Sequence, residues 1–67
     1  MNLAKANDIL KLYGVQIKKD KYSWYIASVN KTENGETLWE HLNYTGHTKD
    51  VLLEVLHNMD TIKRMGW

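Results

Sequence analysis

Residues 22–45 read YSWYIASVNKTENGETLWEHLNYT, two runs rich in aromatic and β-branched residues on either side of Asn34-Gly35. Such runs are typical of strands. Asn-Gly is the strongest short-range signal for a two-residue hairpin loop, because both residues tolerate the positive φ angles of a type I′ turn. The stretch therefore predicts two antiparallel strands, over residues 22–31 and 37–45, whose register follows from the turn.

A helix and a short strand are predicted before this pair. Asn2 is a suitable N-cap, and Gly14 ends the helix at a C′ position, so that the helix covers about residues 3–13. Residues 15–18 alternate between apolar and polar and predict a strand, which a three-residue polar turn at 19–21 connects to the next one. The apolar stripe of the helix consists of Leu3, Ala6, Ile9, Leu10 and Tyr13, with Lys5, Asn7, Asp8 and Lys11 on the polar side.

A second helix follows the strands. Thr48 is its expected cap, and Asp50 is favourably placed in its first turn. Gly66 is expected at its C′ position, with Trp67 packing back on Ile62. Its apolar stripe consists of Val51, Leu52, Val55, Leu56, Met59 and Ile62.

This order of elements predicts an α+β fold formed by one small domain over residues 1–67: helix, three-stranded antiparallel meander, helix. Two amphipathic helices need an apolar surface to cover, and one face of the sheet provides it. Both helices are therefore expected on the same face of the sheet.

The predicted turn assigns side chains to the two faces. A two-residue loop at Asn34-Gly35 pairs Val29 with Glu40, Ala27 with Leu42 and Tyr25 with Tyr44, and paired residues lie on the same side of a sheet. The core face then consists of Val15, Ile17, Tyr25, Ala27, Val29, Leu38, Leu42 and Tyr44.

The opposite face then carries a patch of aromatic and apolar side chains that no helix covers. Exposed patches of this kind mark partner surfaces, and Trp and Tyr are frequent binding anchors. A one-residue slip, or a two-residue first turn at Asp20-Lys21, exchanges the faces and buries Trp24, Ile26 and Trp39 instead. The predicted partner-binding residues are Tyr22, Trp24, Ile26, Trp39 and His41.

Composition limits the partners and the compartment. The net charge is +1, without the basic excess usual for nucleic-acid-binding domains. The chain has no cysteine, which suits a reducing cytoplasm and excludes disulfides and thiolate metal sites. No stretch approaches the ~18 apolar residues of a membrane span, so no membrane association is expected.

Chemistry-bearing residues do not form a recognisable set. Glu54 and His57 have the Glu-x-x-His spacing of di-iron bundles, but the spacing occurs once and on the polar side of a helix. Ser23 and Ser28 are predicted within a strand, without the Gly-x-Ser-x-Gly elbow that exposes a nucleophile. We therefore expect no catalytic residues, no metal site and no cofactor, and a protein that is not an enzyme.

The predicted topology and length resemble those of the double-stranded RNA-binding domain. That family contacts phosphates through a run of lysines opening its second helix, whereas the corresponding segment here, residues 48–51, has one lysine beside an aspartate. The function of that family is therefore not carried over. The small, Lys- and Asn-rich, proline-free chain also resembles accessory proteins of phages and mobile elements, which implies a partner-binding or inhibitory role.

These observations favour a non-enzymatic protein-binding module, encoded by a phage or mobile element and regulating or inhibiting a host protein such as a nuclease or a defence system. Its partner is another protein or a second copy of the chain. The alternative is an RNA- or single-strand-binding domain, in which aromatic rings on the sheet stack on bases while Lys18, Lys19 and Lys21 follow the phosphates.

Overall fold

The computed structural model describes residues 1–64 of the 67-residue chain. Its elements are α1 (Leu3–Leu10), a 3₁₀ turn (Lys11–Tyr13), β1 (Val15–Asp20), β2 (Ser23–Ser28), β3 (Glu40–Leu42), α2 (Thr48–His57) and α3 (Met59–Arg64). The strands form one antiparallel sheet in the order β1-β2-β3. The predicted α+β order of helix, three-stranded meander and helix is confirmed, with the second helix divided in two. The expected roles of Gly66 and Trp67 concern positions outside the described residues.

Local signals at the ends of α1 act as predicted. The Asn2 side chain accepts a hydrogen bond from the Lys5 N–H at 2.9 Å, which satisfies one of the free donors of the first turn. After the 3₁₀ turn the chain reverses at Gly14, whose φ of +80° is a conformation that side chains with a Cβ adopt at a cost. Gly14 therefore ends the helix and starts β1.

The second helical segment begins and divides at polar residues. The N-cap is His47 rather than the expected Thr48, and the His47 N–H donates to the Asp50 carboxylate at 3.1 Å. At Asn58 the side-chain amide donates to the Glu54 carbonyl at 2.8 Å, and α2 ends there. Asparagine bonds readily to nearby backbone in this way and interrupts helices, so the apolar stripe continues in a separate helix, α3.

The hairpin loop differs from the predicted type I′ turn. The Gly35 N–H donates to the Thr32 carbonyl at 2.9 Å, and the Thr32 N–H donates to the Glu36 carbonyl at 2.9 Å. Gly35 has a φ of +76°, whereas no residue other than glycine has a positive φ in the described chain, so Asn34 does not occupy a type I′ position. These bonds describe a three-residue loop that ends in a left-handed glycine, the next most common way to close a hairpin.

The register between β2 and β3 also differs from the prediction, by more than the one additional loop residue accounts for. Leu42 pairs with Trp24, whereas the two-residue loop predicted Ala27, so the register is shifted by three residues. Before the loop, β2 ends at Ser28, whose hydroxyl accepts the Asn30 N–H at 3.1 Å, although the Val29 N–H still donates to the Gly14 carbonyl at 3.0 Å. The strand at β3 is correspondingly shorter than the predicted 37–45.

A shift by an odd number of residues exchanges the two faces of one strand relative to its neighbour, and the predicted face assignment is wrong for β2. Trp24 and Ile26 are each 3% exposed and pack beneath the helices, while Tyr25 belongs to the opposite face. Val29 and Leu38, which were expected in the core, are 40% and 61% exposed.

The pairing of β1 with β2 defines the first hairpin. Asp20 pairs with Ser23, so the connecting turn is the two residues Lys21 and Tyr22 rather than the predicted residues 19–21. Val15 and Ile17 lie in the core as expected, paired with Ser28 and Ile26.

One cluster of buried side chains joins the helices to one face of the sheet. All of the described helices contribute to it, which places them on the same side, as predicted. Leu42 and Tyr44 pack against its margin. Its members are Ala6, Leu10, Val15, Ile17, Trp24, Ile26, Val51, Leu52, Val55 and Ile62.

Candidate binding surface on the outer sheet face

The sheet face opposite the helices carries a row of three side chains, one from each strand. Lys18 of β1 pairs with Tyr25 of β2, and Tyr25 pairs with His41 of β3. The rings of Tyr25 and His41 meet edge to face, with centroids 5.5 Å apart and planes at 82°. The Lys18 ammonium lies 5.6 Å from the Tyr25 ring centroid. The row is therefore a continuous line of contacts across the sheet.

Trp39 extends this row into a cluster. Continued by one residue beyond β3, the register sets Trp39 opposite Ala27, and the Lys18 ammonium lies 4.4 Å from the centroid of the indole. This is the geometry of a cation–π interaction, for which tryptophan is the best acceptor. Lys18 lies in β1 and Trp39 directly precedes β3, so the two side chains reach each other from opposite sides of β2. Ala27 is fully buried although it faces away from the helices.

We call Lys18, Tyr25, Trp39 and His41 the outer cluster. His41 is exposed and the other three are half-buried, so their polar atoms and ring edges remain accessible. Asp20 is the acidic residue of β1 on the same face, and its carboxylate accepts the Lys21 N–H at 2.9 Å. The outer cluster thus combines three aromatic rings with the ammonium group of Lys18, which lies against two of them.

The structure separates the five predicted partner-binding residues into three places. Trp24 and Ile26 are buried in the core, where the Trp24 indole N–H donates to the Gly46 carbonyl at 3.3 Å. Tyr22 is 91% exposed at the turn between β1 and β2. Trp39 and His41 lie together in the outer cluster. A contact surface that requires Trp24 and Ile26 is therefore incorrect.

Two members of the outer cluster were not among the predicted binding residues. Tyr25 was expected in the core, and Lys18 was considered only for contacts with nucleic acid. The sequence features that could have placed both residues on the outer face are those at the ends of the loop. They are Gly35, which can end a three-residue loop, and Ser28. Either loop length is compatible with Asn34-Gly35, so the local sequence leaves this choice open.

The remaining chemistry-bearing residues are dispersed. Within residues 1–64 there is no group of three or more His, Cys, Asp or Glu side chains that could hold a metal ion. The Ser28 hydroxyl is engaged with the Asn30 N–H. Glu54 and His57 are exposed on α2. No helix in the described part of the chain has the length and apolar character needed to cross a membrane.

Comparison of the chain with protein-family models, with curated proteins and with solved structures gives no match in any of the three.

Proposed function

We propose that the chain is a non-enzymatic binding module that contacts a protein partner through the outer cluster. The observation that carries this proposal is the contact of Lys18 with Trp39 and Tyr25 on the sheet face opposite the described helices. Trp and Tyr are enriched at protein interfaces and at their energetic centres. The overall charge of +1 favours a protein over a nucleic acid.

The arrangement of the outer-cluster side chains favours binding, because contacts within the cluster already restrict their conformations before a partner binds. Immobilising a flexible side chain at an interface costs about 0.5–1.5 kcal/mol. The ammonium of Lys18 is held by two rings, and Tyr25 is held between Lys18 and His41. The matching surface is an acidic side chain flanked by apolar ones, because these complement the lysine and the ring faces.

The size and the proline-free composition support a role as a regulator or inhibitor encoded by a phage or mobile element. Such a module acts in the cytoplasm by covering a surface of a host protein, for example a nuclease or a component of a defence system. The absence of cysteine is consistent with a reducing compartment.

Binding by purified variants tests the proposal. A tagged wild-type chain is used to isolate its partner from cells of the natural source, and the affinity of the purified pair is then measured by calorimetry. Trp39→Ala and Tyr25→Ala should each weaken binding about tenfold or more, as the loss of an interface anchor does. Leu53→Ala is the matched control, because Leu53 is 53% exposed on α2. Equal affinity for the wild type and both outer-cluster variants, with the fold retained, would refute the proposal.

A second candidate function is binding of single-stranded nucleic acid. The specific observation is again the lysine between two rings on an open sheet, since bases stack on aromatic side chains and lysines attract phosphates. Lys19 and Lys21 lie along the same hairpin. This function predicts binding of labelled RNA or DNA oligonucleotides with an affinity that falls steeply with added salt. Absence of binding at low salt excludes it.

A further inference from the structure

The side chain of Asn7 forms the two hydrogen bonds with the β1 backbone that a residue of a neighbouring strand would form. Its amide nitrogen donates to the Ile17 carbonyl at 2.9 Å, and its amide oxygen accepts the Ile17 N–H at 2.8 Å. Asn7 was expected on the polar side of α1, but it is half-buried against the sheet. One side chain thus satisfies both backbone groups of a single strand residue.

These two backbone groups belong to the outer edge of the sheet, and α1, which carries Asn7, packs against β1. β1 is an outer strand, and its only neighbour in the described sheet is β2. The N–H and C=O of successive residues in an antiparallel strand point alternately towards and away from the neighbouring strand. Ile17 is bonded to Asn7 and therefore points away from β2, and the backbone groups of Val15 and Lys19 point the same way. Asn7 occupies the middle of this edge.

The charges of β1 would not prevent two copies of the chain from pairing at this edge. In an antiparallel pair centred on Ile17, Ile17 faces its own copy, Gln16 faces Lys18, and Val15 faces Lys19. No lysine faces a lysine, and the symmetric arrangement closes as an isologous dimer. The Ile17 N–H and C=O that such a pair would exchange are those that Asn7 occupies.

We infer that Asn7 closes the β1 edge and thereby prevents a second copy of the chain from adding its β1 strand to the sheet. Free strand edges are templates for pairing, and proteins protect them with dedicated features. This inference concerns the edge of the sheet and is independent of the proposed function of the outer cluster. It also excludes the β1 edge as the interface of a homodimer of the wild-type chain.

Sedimentation of an Asn7→Ala variant over a range of concentrations tests this inference. The expected result is a concentration-dependent dimer with twice the monomer mass. Asn58→Ala is the matched control, because Asn58 is also half-buried and its amide bonds to a backbone carbonyl, but at the end of α2. The control should remain a monomer. A monomeric Asn7→Ala variant at all concentrations overturns the inference.

A second substitution locates the new interface. Proline has no N–H and is tolerated at edge positions where that group bonds to no strand. Lys19→Pro added to Asn7→Ala should therefore restore the monomer, since the Lys19 N–H points out of the sheet. A dimer that persists in the double variant forms at another surface and contradicts the inference.

Amide hydrogen exchange of the wild-type chain tests the bond between the Ile17 N–H and Asn7, on which the inference rests, and needs no substitution. The Ile17 amide should exchange slowly, because Asn7 accepts its hydrogen, whereas the Lys19 amide on the same edge should exchange at least tenfold faster. Equally fast exchange at Ile17 and Lys19 would show that the edge is open and that the inference is wrong.

Discussion

Trp24 and Trp39 lie on opposite faces of the same sheet, and their surroundings give them different roles. Trp24 is 3% exposed, contacts the core beneath the helices and donates to the Gly46 carbonyl. Trp39 is half-buried against the Lys18 ammonium. Both residues were expected on one exposed patch, so the difference between them follows from the register alone.

Alanine substitutions should distinguish the two tryptophans. Trp24→Ala is expected to cost about 3–5 kcal/mol, as truncation of a buried aromatic residue does. A domain of this size is itself stable by only about 3–5 kcal/mol, so this variant should be largely unfolded. Trp39→Ala should remain folded in far-UV circular dichroism. A folded Trp24→Ala beside an unfolded Trp39→Ala would show that the assignment of faces is reversed.

Two glycines at positive φ allow a matched comparison. A Cβ on Gly14 would lie 3.2 Å from the Lys63 ammonium, whereas a Cβ on Gly35 would have nothing within 4 Å. Gly14→Ala and Gly35→Ala should each lower the free energy of unfolding by about 1–2 kcal/mol, the cost of a left-handed conformation with a Cβ. The two losses should be similar because the end of a lysine side chain moves aside easily. Urea unfolding measures both, and a much larger loss at Gly14 would indicate that Lys63 is held rigidly.

At the scale of elements, side chains at the ends of helices and strands determine where each one stops. Asn2 starts α1, and Asn58 separates α2 from α3. The Ser28 hydroxyl bonds to the Asn30 N–H where β2 ends, and Gly35 closes the loop. The helix caps were predictable because they act over three or four residues. The strand ends were not predictable, because a hairpin can close through loops of different length that have similar free energies.

The N-cap of α1 can be tested by two substitutions at one position. Asn2→Ala should lower the free energy of unfolding by about 1 kcal/mol, because the Lys5 N–H loses its acceptor. Asn2→Ser keeps a side-chain acceptor at the cap and should retain most of the stability. Thermal and urea unfolding of both variants provide the measurement. Equal losses for alanine and serine would mean that the hydrogen bond to Asn2 contributes nothing.

At the scale of the whole molecule, the described helices and one face of the sheet share one core. Ala6, Ile17, Trp24, Val55 and Ile62 represent α1, β1, β2, α2 and α3 in the same cluster of buried side chains. An element that left this cluster would expose apolar surface on the elements packed against it. The described structure is therefore expected to unfold as a unit.

Coincident unfolding curves would confirm this expectation. Urea transitions followed by tryptophan fluorescence and by far-UV circular dichroism should have the same midpoint and slope, as in two-state unfolding of small domains. The Trp39→Phe variant makes the fluorescence signal depend more strongly on the core residue Trp24 and serves as the control. Separate midpoints for the two signals would show that the helices and the sheet unfold independently.

The sequence by itself determined the features that depend on neighbours along the chain. These are the α+β order of elements, the cap at Asn2, the reversal at Gly14 and the apolar stripes of the helices. Only the tertiary structure decided which sheet face meets the helices, which placed Trp24 in the core and Tyr25 outside. It also placed Asn7 on the free edge of β1. The physical reason is that side chains alternate along a strand, so a change of one residue in loop length exchanges both faces, and packing against distant helices selects between them.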